Sequence, residues 1–304
     1  MQTLPKKGNI SLTGFLFTFL GAVLFSTKAI IVKKAFQETP VDALTLLTLR
    51  MIFSLPFFIG IAVFASSKKD NIRLTTRQWC SVAIIGMFGY YISSFLDFQG
   101  LKYVSAGLER LILFLYPTFT VLINAFVYKQ KITPRQKLAL ALTYAGIFIA
   151  YIGEFRVDTG NPDFFWGSFL IFVCSVTYAI YIVGSGRLIP LIGASKFTAY
   201  AMLAATGGIL VHFLFAGNYH SLGSGVGTWN YGILLAVMAT VVPSLLISNG
   251  LKQIGSNNVA IISGIGPVST ILQAHFILGE HIFFAQLAGT VLVIIGVLLI
   301  GWKR

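Results

Sequence analysis

Apolar residues along this chain are gathered into long runs, with the polar residues confined to the gaps between them. The runs fall near residues 12–32, 42–64, 79–101, 104–127, 136–153, 164–185, 197–216, 229–250, 256–278 and 282–301. Each is close to the roughly 20 residues a helix needs to cross a bilayer. The third and fourth runs, and the last three, are joined by very short turns, so the count rests on lengths as well as on gaps. The pattern predicts an all-α integral membrane protein with ten transmembrane helices. Little chain is left over for any separate domain outside the membrane.

Composition agrees. Of the 304 residues, 10% are charged and 56% are apolar, where a soluble protein carries about a quarter charged residues. Mean hydropathy is +0.84. A soluble enzyme, a disordered tail and a disulfide scaffold are excluded. Lys6 and Lys7 precede the first run as in a signal peptide. That run, from Leu12 to Val32, is too long for such a segment and lacks a persuasive cleavage site, so it is expected to remain as the first span. Cys80 and Cys174 show neither CxxC nor metal-ligand spacing, and are expected to be structural thiols. No metal and no cofactor is expected.

The net charge of +13 reads as positive cytoplasmic loops, with no nucleic-acid partner. With both termini inside, fifteen of the 22 Lys and Arg residues lie in inner segments, among them Lys68, Lys69, Lys129, Lys131, Arg135 and Lys137. Outer loops hold only Lys33, Lys34, Lys102 and Arg156. An odd number of spans would destroy this positive-inside bias. The expectation is a multi-pass protein of the cell (cytoplasmic or inner) membrane with both termini cytoplasmic.

A shift of 150 residues superposes the two halves without a gap. Twelve of the 47 positions from Gly100 to Gly146 are identical to their counterparts, including Pro117 with Pro267, Gln136 with Gln286 and Gly146 with Gly296. Shared hydrophobicity does not place Pro, Gly and Gln, so a duplication is the better reading. Residues 1–156 and 164–304 would form two five-helix repeats. An odd number of spans per copy inserts the second one upside down, as in many secondary transporters. The basic turn Lys129–Arg135 maps onto Gly279–Ala285, which has lost its Lys and Arg residues, as a change of side requires.

Ten spans in two halves, with the run Ser105-Ala106-Gly107-Leu108-Glu109-Arg110-Leu111-Ile112-Leu113-Phe114-Leu115-Tyr116-Pro117, resemble the EamA family of the drug/metabolite transporter superfamily. The turn Leu278-Gly279-Glu280 and the triplet Leu49-Arg50-Met51 are similar to family patterns too. The resemblance implies a transporter of amino acids or other metabolites, with relatives that exchange sugar phosphates or nucleotide sugars. In the second half, Val259 and Ala260 stand where the first has Glu109 and Arg110, so the two halves are not expected to share their chemistry.

Ionisable residues inside a bilayer cost about 2.5–3.5 kcal/mol or more each and are functional candidates by default. Lys28, Arg50, Asp97, Glu109 and Arg110 all lie in the first four runs and, given the topology, in the outer half of the membrane. They form either one polar coupling layer, with Asp97 and Glu109 as carriers, or a set of ion pairs locking helix ends. Arg50 and Arg110 are expected to attract a substrate carboxylate. Tyr90, Tyr178 and Tyr181 are expected to contact its body, since a buried phenol needs a partner. Tyr90, Ser94 and Asp97 form one helical stripe, as do Thr177, Tyr181 and Ser185, then Thr240, Ser244 and Ser248, and Ser263, Pro267 and Thr270. Pro117 and Pro267 predict mid-span kinks, and Gly264 and Gly266 make the ninth span the more deformable hinge. His212 and His275 are expected to be structural.

No enzyme motif is present and no catalytic residue is expected. The sequence points to a secondary transporter that exports a small organic anion or zwitterion by alternating access, its partners being a small-molecule metabolite and the lipid bilayer. The alternatives are an exchanger of phosphorylated metabolites or nucleotide sugars, and an integral-membrane binding or signalling subunit. A homodimer is compatible with the sequence, which fixes no oligomeric state.

Overall fold

The structure, a computed structural model, describes residues 11–67, 72–129, 132, 134–155, 162–222, 225–263 and 265–301. Among these residues the protein is helical, with no strand. Seven helices are long and apolar enough to cross a membrane: Leu12–Glu38, Ala43–Ser66, Thr76–Gly100, Ala106–Tyr128, Phe164–Ile192, Ala194–Ala216 and Val226–Ile247. Three shorter apolar helices, Leu140–Gly153, Ile265–Leu278 and Phe284–Gly296, accompany them. Large apolar side chains cover the outside, Phe215 at 89% exposure and Phe284 at 86% among them. That surface suits lipid and would be a liability in water.

Helix α1 (Leu12–Glu38) starts at Ser11, whose hydroxyl accepts from the Gly14 N–H. Helix α2 (Ala43–Ser66) is capped by the Asp42 carboxylate on the Leu44 and Thr45 N–H groups, the favourable end of the helix dipole for an anion. Then follow α3 (Thr76–Gly86), a π-helical turn (Met87–Ile92), α4 (Ser93–Gly100), α5 (Ala106–Leu113), α6 (Tyr116–Tyr128) and α7 (Pro134–Phe155). The remaining elements are α8 (Phe164–Ile192), α9 (Ala194–Ala216), the short α10 (Tyr219–Leu222), α11 (Val226–Ala236), a π-helical turn (Val237–Val241), α12 (Val242–Ser263), α13 (Ile265–Gln273), a third π-helical turn (Ala274–Leu278) and α14 (Phe284–Gly301).

The boundaries recur at the 150-residue interval. Thr76 and Gly86 of α3 correspond to Val226 and Ala236 of α11, the first π turn to the second, and Pro134 at the start of α7 to Phe284 at the start of α14. Packing partners recur as well: α3 lies on α9 and α11 on α2; α4 lies on α8 and α12 on α1. Between α7 and α14 the backbones approach at Gly146 and Gly289, where a Cβ on Gly146 would sit 2.9 Å from that of Leu292. Small residues at helix contacts permit this closeness.

Helical backbone extends through α12 where the sequence places a turn between the eighth and ninth runs. The chain nevertheless reverses there. Gly250 meets Thr18 and Ile254 meets Gly14, one turn farther along α1, whereas Gly266 is back beside Ser26. A straight helix would instead have carried Gly266 about 24 Å beyond Gly250.

At Pro117 the break in the span is sharper than a kink. Pro117 does not kink a continuous helix. Helix α5 ends at Leu113, Phe114 and Leu115 form a tight turn, and Pro117 sits in the first turn of α6, where its missing N–H costs nothing. Pro267 lies in the helical stretch Ile265–Gln273, and Gly264, three residues before it, lies outside the described residues. Pro56 lies inside α2 and Pro190 inside α8.

Candidate functional site

The five intramembrane charges come from four helices and meet in the interior. All are buried: Lys28, Arg50 and Arg110 are at most 6% exposed, and Asp97 and Glu109 are 0%. Lys28 Nζ lies 2.7 Å from Asp97 Oδ2 and 3.9 Å from Glu109 Oε1. Asp97, on α4, also interacts electrostatically with Arg110 of α5 and Arg50 of α2. Adjacent in sequence, Glu109 and Arg110 point to different partners, as consecutive helical positions do.

Arg50 donates from Nε to Thr240 Oγ1 at 2.7 Å and from Nη1 to Ser94 Oγ at 3.3 Å, and its guanidinium lies over the Phe98 ring, 5.6 Å from the centroid. Thr240 itself donates to the Leu235 carbonyl, five residues back, across the π turn. The irregular backbone therefore orients the hydroxyl that receives Arg50. Such π insertions in helices are frequent at functional sites.

Arg110 donates from Nη2 to Ser26 Oγ at 2.9 Å. The Ser26 hydroxyl has acceptors in Ala22 O at 2.9 Å and Gly266 O at 3.2 Å. A Cβ on Gly266 would stand 3.6 Å from Arg110 Nε, so this glycine is a wall of the Arg110 site as well as a neighbour of Pro267. Among the described residues Arg110 Nε has no hydrogen-bond partner, nor do the Asp97 and Glu109 carboxyl oxygens beyond the Lys28 ion pairs. A guanidinium N–H and carboxylate oxygens left open in a dry interior are costly unless a ligand or proton completes them.

The tyrosines adjoin this cluster. Tyr90 and Tyr181 are joined hydroxyl to hydroxyl at 2.6 Å, with ring centroids 4.9 Å apart. Tyr178 stacks on Tyr181 at 5.6 Å, and the edge of Tyr116 meets Tyr178 at 5.0 Å. Arg110 interacts electrostatically with Tyr116 and Tyr178, and Arg50 with Tyr90. Charged layer and aromatic layer are thus continuous. Gly89, within the first π turn, leaves the space that the Tyr181 ring fills.

Sequence reasoning passed over Tyr116, Ser26, Phe98 and Gly89 as site residues. It noted Glu280 only as part of a turn, whereas its carboxylate accepts from the Ala106 N–H at 3.0 Å and the Gly107 N–H at 3.5 Å. With Ser105 Oγ on the Leu108 N–H, that completes the N-terminus of α5, the helix that carries Glu109 and Arg110. His212 and His275 each have a partner: His212 Nδ1 pairs with the Tyr91 hydroxyl at 2.8 Å and His275 Nδ1 with the Glu280 carbonyl at 2.9 Å. Thr177 and Ser185 bond to carbonyls of their own helix, as helix-packing hydroxyls do. Among the described residues no group of His, Cys, Asp and Glu is placed to hold a metal.

The EamA-like transporter family profile matches residues 12–152 and again residues 165–302. The chain belongs to the EamA-like transporter family. Among its relatives, the uncharacterized transporter YcbK of Bacillus subtilis is 29% identical over 91% of this chain and 88% of its own length. The uncharacterized transporter YyaM of the same organism is 30% identical over 76% and 75%, and one from Archaeoglobus fulgidus is 24% identical over 94% of both. A solved crystal structure 18% identical in sequence superposes with a TM-score of 0.65 over 94% of both chains, a likeness of fold. This is a multi-pass membrane protein of a transporter family.

Proposed function

We propose that the protein is a secondary transporter that exports a small organic anion or zwitterion, an amino acid or related metabolite, by alternating access. The moving parts are two inverted five-helix repeats, residues 1–156 and 164–304. Recurrent helix boundaries and packing partners at the 150-residue interval support the duplication. The basic inner loops support cytoplasmic termini and a cell-membrane location. A cysteine at Asp158, outside the described residues, should then react with an impermeant reagent in intact cells while one at Lys131 is protected.

One observation carries the reading: the candidate contacts run between the proposed halves. Arg50 reaches Thr240, Arg110 reaches Gly266 and Tyr90 reaches Tyr181. A ligand held there would touch both halves, and rocking one against the other would change the side from which it is reached. Three buried cations face two carboxylates, so the interior has an excess of positive charge that favours an anionic group. Arg50 and Arg110 would take the substrate carboxylate, and Tyr90, Tyr178 and Tyr181 its body.

The test is a metabolite screen by thermal shift on purified protein, since a ligand of the native state raises its melting temperature. Hits are then followed in preloaded vesicles. Net efflux of an anion or zwitterion supports the proposal. Neither arginine makes an ion pair among the described residues, and two such guanidiniums also suit phosphate. Obligatory exchange of phosphorylated metabolites would favour that second reading. Vesicles that move nothing would return the protein to a binding or signalling subunit.

A further inference from the structure

Asp97 and Glu109 compete for one ammonium. The Lys28 Nζ is in contact with Asp97, at 2.7 Å, and stands off from Glu109, at 3.9 Å. Both carboxyls are fully buried, and among the described residues neither accepts from any donor besides Lys28. Approach to the same ammonium places the two carboxyls side by side, and a hydrogen bond between two carboxyls exists only if one of them is protonated.

The other charged or titratable neighbours hydrogen-bond elsewhere or are neutral, although both arginines keep an electrostatic interaction with Asp97; Glu280, at the α5 N-terminus, accepts from the Ala106 and Gly107 N–H groups. Arg50 of α2 donates to Thr240 and Ser94, and Arg110 of α5 donates to Ser26. From α8 come the Cys174 thiol and Tyr178, and from α6 comes Tyr116. Tyr151 of α7 turns to Phe164, and α13 and α14 contain no ionisable residue. Two ionised carboxylates side by side in such a place repel strongly, and the usual outcome is that one keeps its proton.

We propose that Asp97 and Glu109 hold a single shared proton, carried on Glu109 and donated to the Asp97 carboxylate, as the proton site of the membrane interior. The nearer ammonium keeps Asp97 ionised, and Glu109 is left as the acid. Release breaks the Glu109 O–H bond and passes the proton to water, leaving a second carboxylate facing Lys28 and Arg110. A substrate ammonium arriving at that carboxylate takes the proton's place. Proton and zwitterion then exclude each other, which is the requirement of antiport. Only this last use rests on the transporter reading; the proton site itself does not.

The experiment is infrared spectroscopy of the purified protein in lipid at neutral pH, without substrate, in H2O and D2O. The expected result is a neutral carboxylic acid C=O band that shifts in D2O and moves when glutamate alone is 13C-labelled. Glu109→Gln removes the band. Asp97→Asn removes it too, because a lone Glu109 carboxylate then has Lys28 to itself, while Glu109→Asp retains it. Absence of the band in the unaltered protein overturns the proposal, as does a band that ignores glutamate labelling. A band at full amplitude in Asp97→Asn also overturns it, since burial alone would then hold the proton. The spectrum is recorded without substrate, so failure of the transport reading would leave the band, and the proton site it reports, unaffected.

Discussion

The π-helical turns Met87–Ile92 and Val237–Val241 lie 150 residues apart and do different work. The second sets Thr240 beneath Arg50. The first offers Gly89 as a seat for the Tyr181 ring and extends the Tyr90 hydroxyl to that of Tyr181. Where the first turn has Gly89, the second has Ala239, fully buried in the apolar core. The two turns share a backbone irregularity and differ in the side chains they carry. Charges gather on the first half of the chain, and the second meets them with hydroxyls, tyrosines and a glycine.

The largest effect expected from breaking that division of labour is at the arginines. Arg50→Ala and Arg110→Ala should each lower ligand affinity by about 100-fold or more, the scale of a lost charge-assisted pair in a dry site, in a protein that still folds and inserts. Isothermal titration with a hit from the metabolite screen measures this. Normal affinity combined with a lower melting temperature would mean that the cluster only locks helix ends.

Next comes the comparison of equivalent positions. Gly89→Ala drives a methyl group into Tyr181 and should cost about 1–3 kcal/mol as overpacking. Ala239→Gly should cost only about 1 kcal/mol, the helix preference for alanine. Chemical unfolding in detergent ranks the two. Equal costs would show that the turns are not distinguished by their neighbours.

Smaller changes are expected at the hydroxyls. Tyr181→Phe and Thr240→Val each remove one hydrogen bond, worth about 1 kcal/mol, or roughly a fivefold loss of affinity. If Thr240→Val has no effect in an Arg50→Ala background, the two act together as the geometry implies; additive losses would separate them.

The smallest effect on binding, though not on rate, is expected at Gly266. The added methyl would find ordinary contact distances of 3.5–3.7 Å to Ser26 and Arg110, so Gly266→Ala should keep its affinity and slow transport. Pro267→Ala should do the same, and Pro117→Ala should slow transport less. Loss of affinity in proportion to rate in the Gly266 variant would assign it to the Arg110 site and not to a hinge.

The five charges were legible in the sequence because ionisable residues in apolar runs stand out against their neighbours. Tyr90, Tyr178 and Tyr181 could be marked as phenols needing partners, but nothing in the spacing showed that two of them partner each other. Tyr116 was missed because it follows the turn at Phe114 and Leu115, where helical periodicity is interrupted. The π turns leave no signature in hydrophobic patterning, so Gly89 looked like any small residue in a span. Glu280 reaches α5 from 174 residues away, a contact that no local pattern records.

That last contact offers the most direct test of alternating access. Glu280 of the second half holds the N-terminus of α5 in the first, and the proposed cycle requires the halves to part at such contacts. Cysteines placed at Ala106 and Glu280, in a protein lacking Cys80 and Cys174, are joined by a short reducible cross-linker, and binding and flux are measured on the same vesicles. The account predicts that the cross-linked protein binds ligand and moves none, with flux restored by reductant. Undiminished flux through the cross-linked protein would contradict it.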